Sequence, residues 1–152
     1  MMTEGSYFLE IEMFATIRAV AISSSVVAAL LSNGSVQAQT TNPQLEELCD
    51  GRGHVPDDVQ ISACTEIINS GRYGASRLNT AYFFRGLTYA QTFRCRLAIA
   101  DFTAAIRYDS NDSDAYWVRH SCKEELGDIA GAEADKKAAK AIDPKIEQQW
   151  ER

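Results

Sequence analysis

The sequence is poor in the residues from which most catalytic and metal sites are built. It contains only two histidines, His54 and His120, and it lacks a glycine-rich phosphate loop and any Cys-x-x-Cys motif. Fifteen lysines and arginines stand against 21 aspartates and glutamates, which gives a net charge of -6. Because a nucleic-acid binder needs a basic surface, recognition of a phosphate backbone is not expected. We therefore predict no catalytic residue, no cofactor and no metal, and interpret the chain as non-enzymatic.

Long apolar runs are also scarce. The main one covers residues 19–31, includes three consecutive serines, and is too short for a membrane span of about 20 residues. Val36 and Ala38 follow it as the small residues that signal peptidase accepts. We therefore expect residues 1–38 to be a secretory signal peptide. Since the segment before Met13 is acidic, translation is expected to start at Met13. The mature chain is expected to be exported, to the periplasm or outside the cell, without a membrane span.

All four cysteines follow this predicted signal peptide. Thiols in an exported chain meet an oxidising compartment, where an even number of them is usually paired. Cys49 and Cys64 are 15 residues apart, and a bridge between them would stabilise the fold by about 3 kcal/mol. For Cys95 and Cys122 two readings stay open, a second bridge or a pair of buried free thiols.

An alternative use of the cysteines is chemical. Cys49, His54 and Cys64 offer three zinc ligands or a thiol–imidazole pair, which would make the protein a small metal or thiol enzyme. Their spacing matches no standard zinc site, and a fourth ligand is missing. We therefore interpret Cys49 and Cys64 as a cystine.

A repeat of 34 residues organises the rest of the chain. Residues 79–112 align with residues 113–146 at nine identical positions. A period of 34 residues is the length of one helix–turn–helix repeat. The identical pairs are Ala81/Ala115, Tyr82/Tyr116, Arg85/Arg119, Ala98/Ala132, Ala100/Ala134, Asp101/Asp135, Ala104/Ala138, Ala105/Ala139 and Asp109/Asp143.

This pattern resembles the tetratricopeptide repeat, and the resemblance implies an all-α solenoid of antiparallel helix–turn–helix repeats. It depends on aromatic, glycine, alanine and proline positions: Tyr82, Tyr116, Gly86, Tyr89, Ala98, Ala132, Phe102, Ala105, Ala139 and Pro144. His120, Lys136 and Ser110 depart from the pattern. Because His120 replaces a small residue, looser packing or an outward side chain is expected there. Residues 79–112 and 113–146 are the two predicted repeats, and residues 147–152 are a short C-terminal cap.

An arginine and an aspartate recur within these repeats. Arg85 and Asp101 are equidistant from the turn at Phe93, and Arg119 and Asp135 have the same arrangement in the second repeat. Residues equidistant from a turn meet in an antiparallel hairpin, so each pair is predicted to form a salt bridge, bidentate if the guanidinium is well oriented. The alternative is that the arginines bind an anion. Because each has a partner placed to neutralise it, we interpret them as structural.

Residues 39–78 resemble a degenerate repeat. Asp57 is predicted to cap a helix that ends near Ser70, with Ile61, Cys64 and Ile68 on one face. A step of 34 residues leads back from Ala98 to Cys64 and from Phe102 to Ile68. The first helix of this unit would be short and tied down by the Cys49–Cys64 bridge.

The resemblance also implies a binding surface. In such repeats, first-helix side chains line a concave groove, and the matching positions here are Thr80, Phe83, Leu87, Ala90, Gln91, Asp114, Trp117, Ser121, Glu124 and Glu125. An apolar stripe of Phe83, Leu87 and Trp117 with acidic neighbours would suit an amphipathic or basic peptide. The predicted function is therefore docking of a protein or peptide segment. Two alternatives stay open: the aromatic residues belong to the core or lie under the C-terminal segment, or they are buried in a homo-oligomer.

Overall fold

The computed structural model describes residues 41–151. The predicted signal peptide, residues 1–38, and the predicted start at Met13 lie outside the described residues. Within the described part the chain forms seven helices and no strand. These are α1 (Pro43–Cys49), α2 (Asp57–Asn69), α3 (Ala75–Gln91), α4 (Cys95–Tyr108), α5 (Ser113–Glu125), α6 (Ile129–Ile142) and α7 (Ile146–Trp150).

The helices pack in consecutive pairs. α1 contacts α2, α3 contacts α4, and α5 contacts α6, while α2–α3 and α4–α5 contacts join one hairpin to the next. The short α7 packs against α5 and α6 at the end of the array. The prediction of an all-α fold built from antiparallel helical hairpins is confirmed. None of the described helices is both long enough and apolar enough to cross a membrane.

The α3–α4 and α5–α6 turns differ in chemistry. At the α5–α6 turn, Gly127 has φ 80° and the Asp128 side chain accepts a hydrogen bond from the backbone N–H of Gly131 at 3.0 Å. Glycine thus ends one helix and aspartate caps the next. At the α3–α4 turn, the equivalent left-handed position is held by Phe93, with φ 59°. Phe93 is also 84% exposed. The α3–α4 turn therefore carries, at Phe93, a conformation that only glycine adopts without steric cost.

Gly86 permits a close approach between α3 and α4. A Cβ atom at Gly86 would lie 3.0 Å from Cε1 of Phe102, and Phe102 is fully buried. In the next hairpin the same two positions are His120 and Lys136. Because Lys136 places no ring against α5, His120 fits inside, where it is buried. The predicted outward orientation of His120 is therefore wrong, because loss of the aromatic residue makes room for the ring, and looser packing here stays a prediction.

The first hairpin is held by the predicted disulfide. Cys49 and Cys64 are bonded at 2.10 Å, and both are fully buried beside Leu45 and Ile67. The predicted cap of α2 is wrong, because Pro56 precedes the helix without a side-chain hydrogen bond and Asp57 is its first residue. An aspartate one position inside the helix still stabilises it through the dipole of the first turn.

The first hairpin is offset from the 34-residue period by one helical turn. Thr65 and Thr103 occupy the same place against Arg85 and Arg119, and their numbers differ by 38. The four additional residues form the first turn of α3, which begins at Ala75, so the predicted boundary after residue 78 falls inside a helix. The offset explains why Ile67 is fully buried in α2, whereas Ile68 is only half-buried.

Candidate functional site

Both predicted arginine–aspartate pairs are present. Nε of Arg85 donates to one carboxylate oxygen of Asp101 and Nη2 donates to the other, both at 2.8 Å. Arg119 and Asp135 repeat this geometry at 2.7 and 2.6 Å. Each pair joins the two helices of one hairpin in the bidentate arrangement expected from the sequence.

The same arginines also contact the preceding hairpin. The remaining nitrogen, Nη1, donates to the hydroxyl of Thr65 from Arg85 at 2.9 Å and to that of Thr103 from Arg119 at 3.0 Å. Each guanidinium also lies over a tyrosine of its own helix, about 5.5 Å from the ring centroid. With aspartate, threonine and ring contacts already made, neither arginine is left open for an anion. The threonines were not predicted, because a single hydroxyl on a helix gives no sequence signal.

Asp135 is held by two cations. Lys123 lies 2.9 Å from one of its carboxylate oxygens, in addition to the bidentate contact with Arg119. Burial alone would raise the pKa of Asp135, but the hydrogen bonds and charges of Arg119 and Lys123 outweigh burial and lower the pKa below its ordinary value. The aspartate is therefore charged at neutral pH, and its contacts with Arg119 and Lys123 hold α6 against α5.

Trp117, predicted to form part of an open apolar stripe, lies in the core. It is 8% exposed and packs against Ala139 and Ile146, while the ring of His120 lies 4.8 Å from its own. The indole of Trp150 in α7 donates a hydrogen bond to Asp114 at 2.8 Å. Of the readings left open by the sequence, the structure favours coverage of Trp117 by the C-terminal segment.

Three of the predicted groove residues meet in one surface cavity of about 310 Å³. Thr80 and Phe83 contribute to it from α3, and Asp114 contributes from the start of α5. The cavity lies where α3 meets the α4–α5 connection, so two consecutive hairpins form its walls. Six further residues line it: Asn79, Phe84, Asp109, Asn111, Asp112 and Ser113. We call this the inter-hairpin cavity.

The inter-hairpin cavity is lined by both aromatic and acidic side chains. The rings of Phe83 and Phe84 meet edge to face, 5.5 Å apart. Three aspartates and no lysine or arginine line the cavity. Phe84, Asp109 and Asp112 were not predicted to form part of a site, although a run with aspartates at positions 109, 112 and 114 was a visible signal.

The three aspartates of the cavity have different duties. Asp112 is the N-cap of α5, where it accepts from the N–H of Ala115 at 2.9 Å and from the amide of Asn79 at 2.8 Å. Asp109 accepts from the N–H of Asn111 at 2.9 Å, and Asp114 accepts from Trp150. Among the described residues, neither Asp109 nor Asp114 has a cationic partner within 4 Å. No described cation therefore neutralises these two carboxylates, which leaves their charge available to a ligand in the cavity.

The other predicted groove residues lie outside this cavity. Leu87 and Ala90 are half-buried in the cluster around Phe102, and Ser121 places its hydroxyl 3.4 Å from the carbonyl oxygen of Trp117. Glu124 and Gln91 are exposed. The continuous apolar stripe expected from Phe83 through Leu87 to Trp117 is therefore not an open surface.

The four cysteines lie in two buried pairs, Cys49 with Cys64 and Cys95 with Cys122. Because Cys49 and Cys64 are bonded to each other, neither offers a thiolate to zinc or to a substrate while the bridge holds. His54 is exposed in its loop. Within residues 41–151, no three His, Cys, Asp or Glu side chains are grouped to hold a metal ion. Cys95 and Cys122 are buried and are not bonded to Cys49 or Cys64, and Sγ of Cys95 lies 3.1 Å from a carboxylate oxygen of Glu125.

No protein-family model matches this chain, and no curated protein is similar to it at a significant level.

Proposed function

We propose that this chain is an exported tetratricopeptide repeat module that binds a segment of another protein through a basic side chain. The observation that carries the proposal is the inter-hairpin cavity, which is lined by two phenylalanines in ring contact and by aspartates without a cationic partner among the described residues. Such repeats use the surface between consecutive first helices for ligands, and α3 and α5 are first helices. The Cys49–Cys64 bridge supports export, because disulfides persist in oxidising compartments.

The chemistry of the cavity selects its ligand. The ammonium group of a lysine or the guanidinium group of an arginine would pair with Asp109 and Asp114 at the rim. The aliphatic stem of that side chain would cover Phe83 and Phe84, as long basic side chains do on apolar surfaces. An arginine could also stack on an aromatic ring, which favours it over lysine. An acidic segment would be repelled.

Selection of peptides tests this proposal directly. Random 12-residue peptides displayed on phage would be selected on the immobilised full chain, and the dissociation constants of the selected peptides measured by fluorescence anisotropy. We expect selected peptides to share an arginine or lysine flanked by apolar residues. In the double variant Asp109→Asn, Asp114→Asn, which keeps the hydrogen-bond acceptors but removes two charges, the dissociation constant should rise about tenfold or more.

A matched control removes two charges elsewhere. Glu47 and Glu133 are exposed and lie outside the cavity, so Glu47→Gln, Glu133→Gln should change the dissociation constant less than about twofold. Peptides without a basic residue, or equal losses in both double variants, would show that the cavity is not the binding site.

A second candidate function is self-association, which a different surface favours. Phe93, Leu97, Leu126 and Ile129 are exposed large apolar residues at the turn end of the second and third hairpins, and Arg94 and Arg96 lie beside them. A contiguous exposed apolar patch commonly marks an interface. Light scattering at rising protein concentration distinguishes the two candidates. A monomer at all concentrations would exclude self-association and would not affect the proposal of peptide binding in the inter-hairpin cavity.

A further inference from the structure

We propose that Cys95 and Cys122 are joined by a second disulfide, which links the second hairpin to the third. Their sulfur atoms lie 2.8 Å apart. That separation is about 0.8 Å longer than the ~2.05 Å of a covalent S–S bond, and small side-chain rotations close it. The inference is independent of the proposed peptide binding, because it concerns the covalent state of the chain alone.

The surroundings fix both cysteines in place. Cys95 begins α4 and Cys122 lies in α5, and they belong to one apolar cluster with Ala98, Phe102 and Val118. They are 4% and 3% exposed. Because the packing of α4 on α5 already brings the side chains together, the bridge requires no rearrangement of helices.

A disulfide suits this site better than thiolate chemistry does. Burial raises the pKa of the Cys95 thiol, and the neighbouring Cys122 and Glu125 raise it further. Burial also raises the pKa of Cys122. Thiolate is the form that binds metals and attacks substrates, so these surroundings disfavour both roles. The disulfide is uncharged and carries no ionisable group, so it is compatible with the apolar cluster around it.

The bridge forms by exchange with another disulfide, which we write R–S–S–R. Exchange takes place while the chain folds, before α4 packs on α5 and before burial raises the pKa of the two thiols. The Cys95 thiolate attacks R–S–S–R and releases RS⁻, which takes up the proton lost from Cys95. Cys122 then attacks the mixed disulfide at the Cys95 sulfur, and the second RS⁻ takes up the Cys122 proton. Two cysteines are oxidised, and one R–S–S–R is reduced to two RSH.

Trapping of thiols in the full chain tests the assignment. The protein, purified without reductant, is unfolded in guanidinium chloride with excess N-ethylmaleimide, and its intact mass and non-reduced tryptic peptides are measured. We expect no maleimide adduct and a reducible cross-link between the peptides that contain Cys95 and Cys122. Two adducts on these residues after refolding of the reduced chain with oxidised glutathione, or a cross-link from either one to Cys49 or Cys64, would overturn the proposal.

Single variants supply the control and a stability measurement. Cys95→Ser and Cys122→Ser should each yield one maleimide adduct, on the remaining cysteine of the pair, while the Cys49–Cys64 cross-link persists. A bridge that closes a loop of 27 residues should raise Tm by on the order of 10 °C relative to the double variant Cys95→Ser, Cys122→Ser. If the wild-type Tm is the same before and after reduction of this pair, the bridge is absent.

Discussion

At the scale of single residues, the α3–α4 and α5–α6 turns can be compared position by position. Gly127 and Phe93 hold the same left-handed position in consecutive hairpins, yet only glycine adopts it without a clash between Cβ and the neighbouring carbonyl. Phe93 gains nothing in return from burial, since its ring is exposed. Strain at an exposed aromatic residue commonly marks a functional position, which agrees with its place in the apolar patch considered for self-association.

We expect Phe93→Gly to stabilise the protein. Relief of the left-handed strain should outweigh the added freedom of glycine in the unfolded chain and increase the free energy of unfolding by up to about 1 kcal/mol. The measurement is thermal unfolding followed by circular dichroism, in which Tm should rise by about 4 °C.

The mirror-image variant is the control for this prediction. Gly127→Ala should lower Tm by a similar amount, because it introduces at the α5–α6 turn the strain that Phe93 carries at the α3–α4 turn. A decrease in Tm for Phe93→Gly would show that the ring stabilises the native turn.

At the scale of helices and hairpins, contacts within a hairpin were predictable and contacts between hairpins were not. Arg85 meets Asp101 because both are equidistant from one turn, so sequence spacing alone determines the pairing. The partner of Arg85 in the previous hairpin, Thr65, depends on the length of the connection and on the additional turn of α3, which periodicity does not encode. For the same reason Trp117 was predicted to be open: its cover, Ile146, comes from a helix too short to be recognised as a repeat.

The Arg119–Asp135 pair predicts a dependence of stability on pH. The pKa of Asp135 in the folded protein lies below its ordinary value. The charged carboxylate therefore contributes fully to the free energy of unfolding above the unfolded pKa of about 3.9. That contribution is lost as the pH falls through the folded pKa. We expect wild type to have a higher Tm than Asp135→Asn near pH 7 and the difference to shrink below about pH 4.

Thermal unfolding between pH 2.5 and 7 measures this difference. Glu133→Asn is a suitable comparison, since Glu133 lies on the exposed side of the same helix and its replacement should leave the acid dependence unchanged. A difference between wild type and Asp135→Asn that stays constant down to pH 2.5 contradicts the role assigned to this carboxylate.

At the scale of the whole molecule, the hairpins differ in how they are held. The first has a seven-residue helix, α1, with only Leu45 and Cys49 buried, and it depends on its disulfide and on Arg77, which donates to Asp50 at 2.7 Å. The second and third have longer helices and bidentate ion pairs. The disulfide was predictable from the cysteine count and spacing. The inter-hairpin cavity was predictable only in part, because its aspartates belong to a connection whose path the sequence pattern does not show.

We expect loss of the first disulfide to unfold the first hairpin before the rest. Cys49→Ser, Cys64→Ser should lower the free energy of opening of α1 and α2 by about 3 kcal/mol, because a short helix cannot compensate with burial. Hydrogen–deuterium exchange with mass spectrometry should show faster exchange in residues 43–69 and little change in residues 113–142. Uniform acceleration along the chain would indicate instead that the protein unfolds as one cooperative unit.

The contacts of the two arginines have a consequence for the length of the array. Each arginine donates hydrogen bonds to two neighbours, an aspartate of its own hairpin and a threonine of the hairpin before it. A duplicate of residues 79–112 inserted after Asp112 would present its own arginine to Thr103 and its own threonine to Arg119. The contact of an arginine with an aspartate and a threonine would thus be repeated at each junction of an array lengthened by gene duplication or by design.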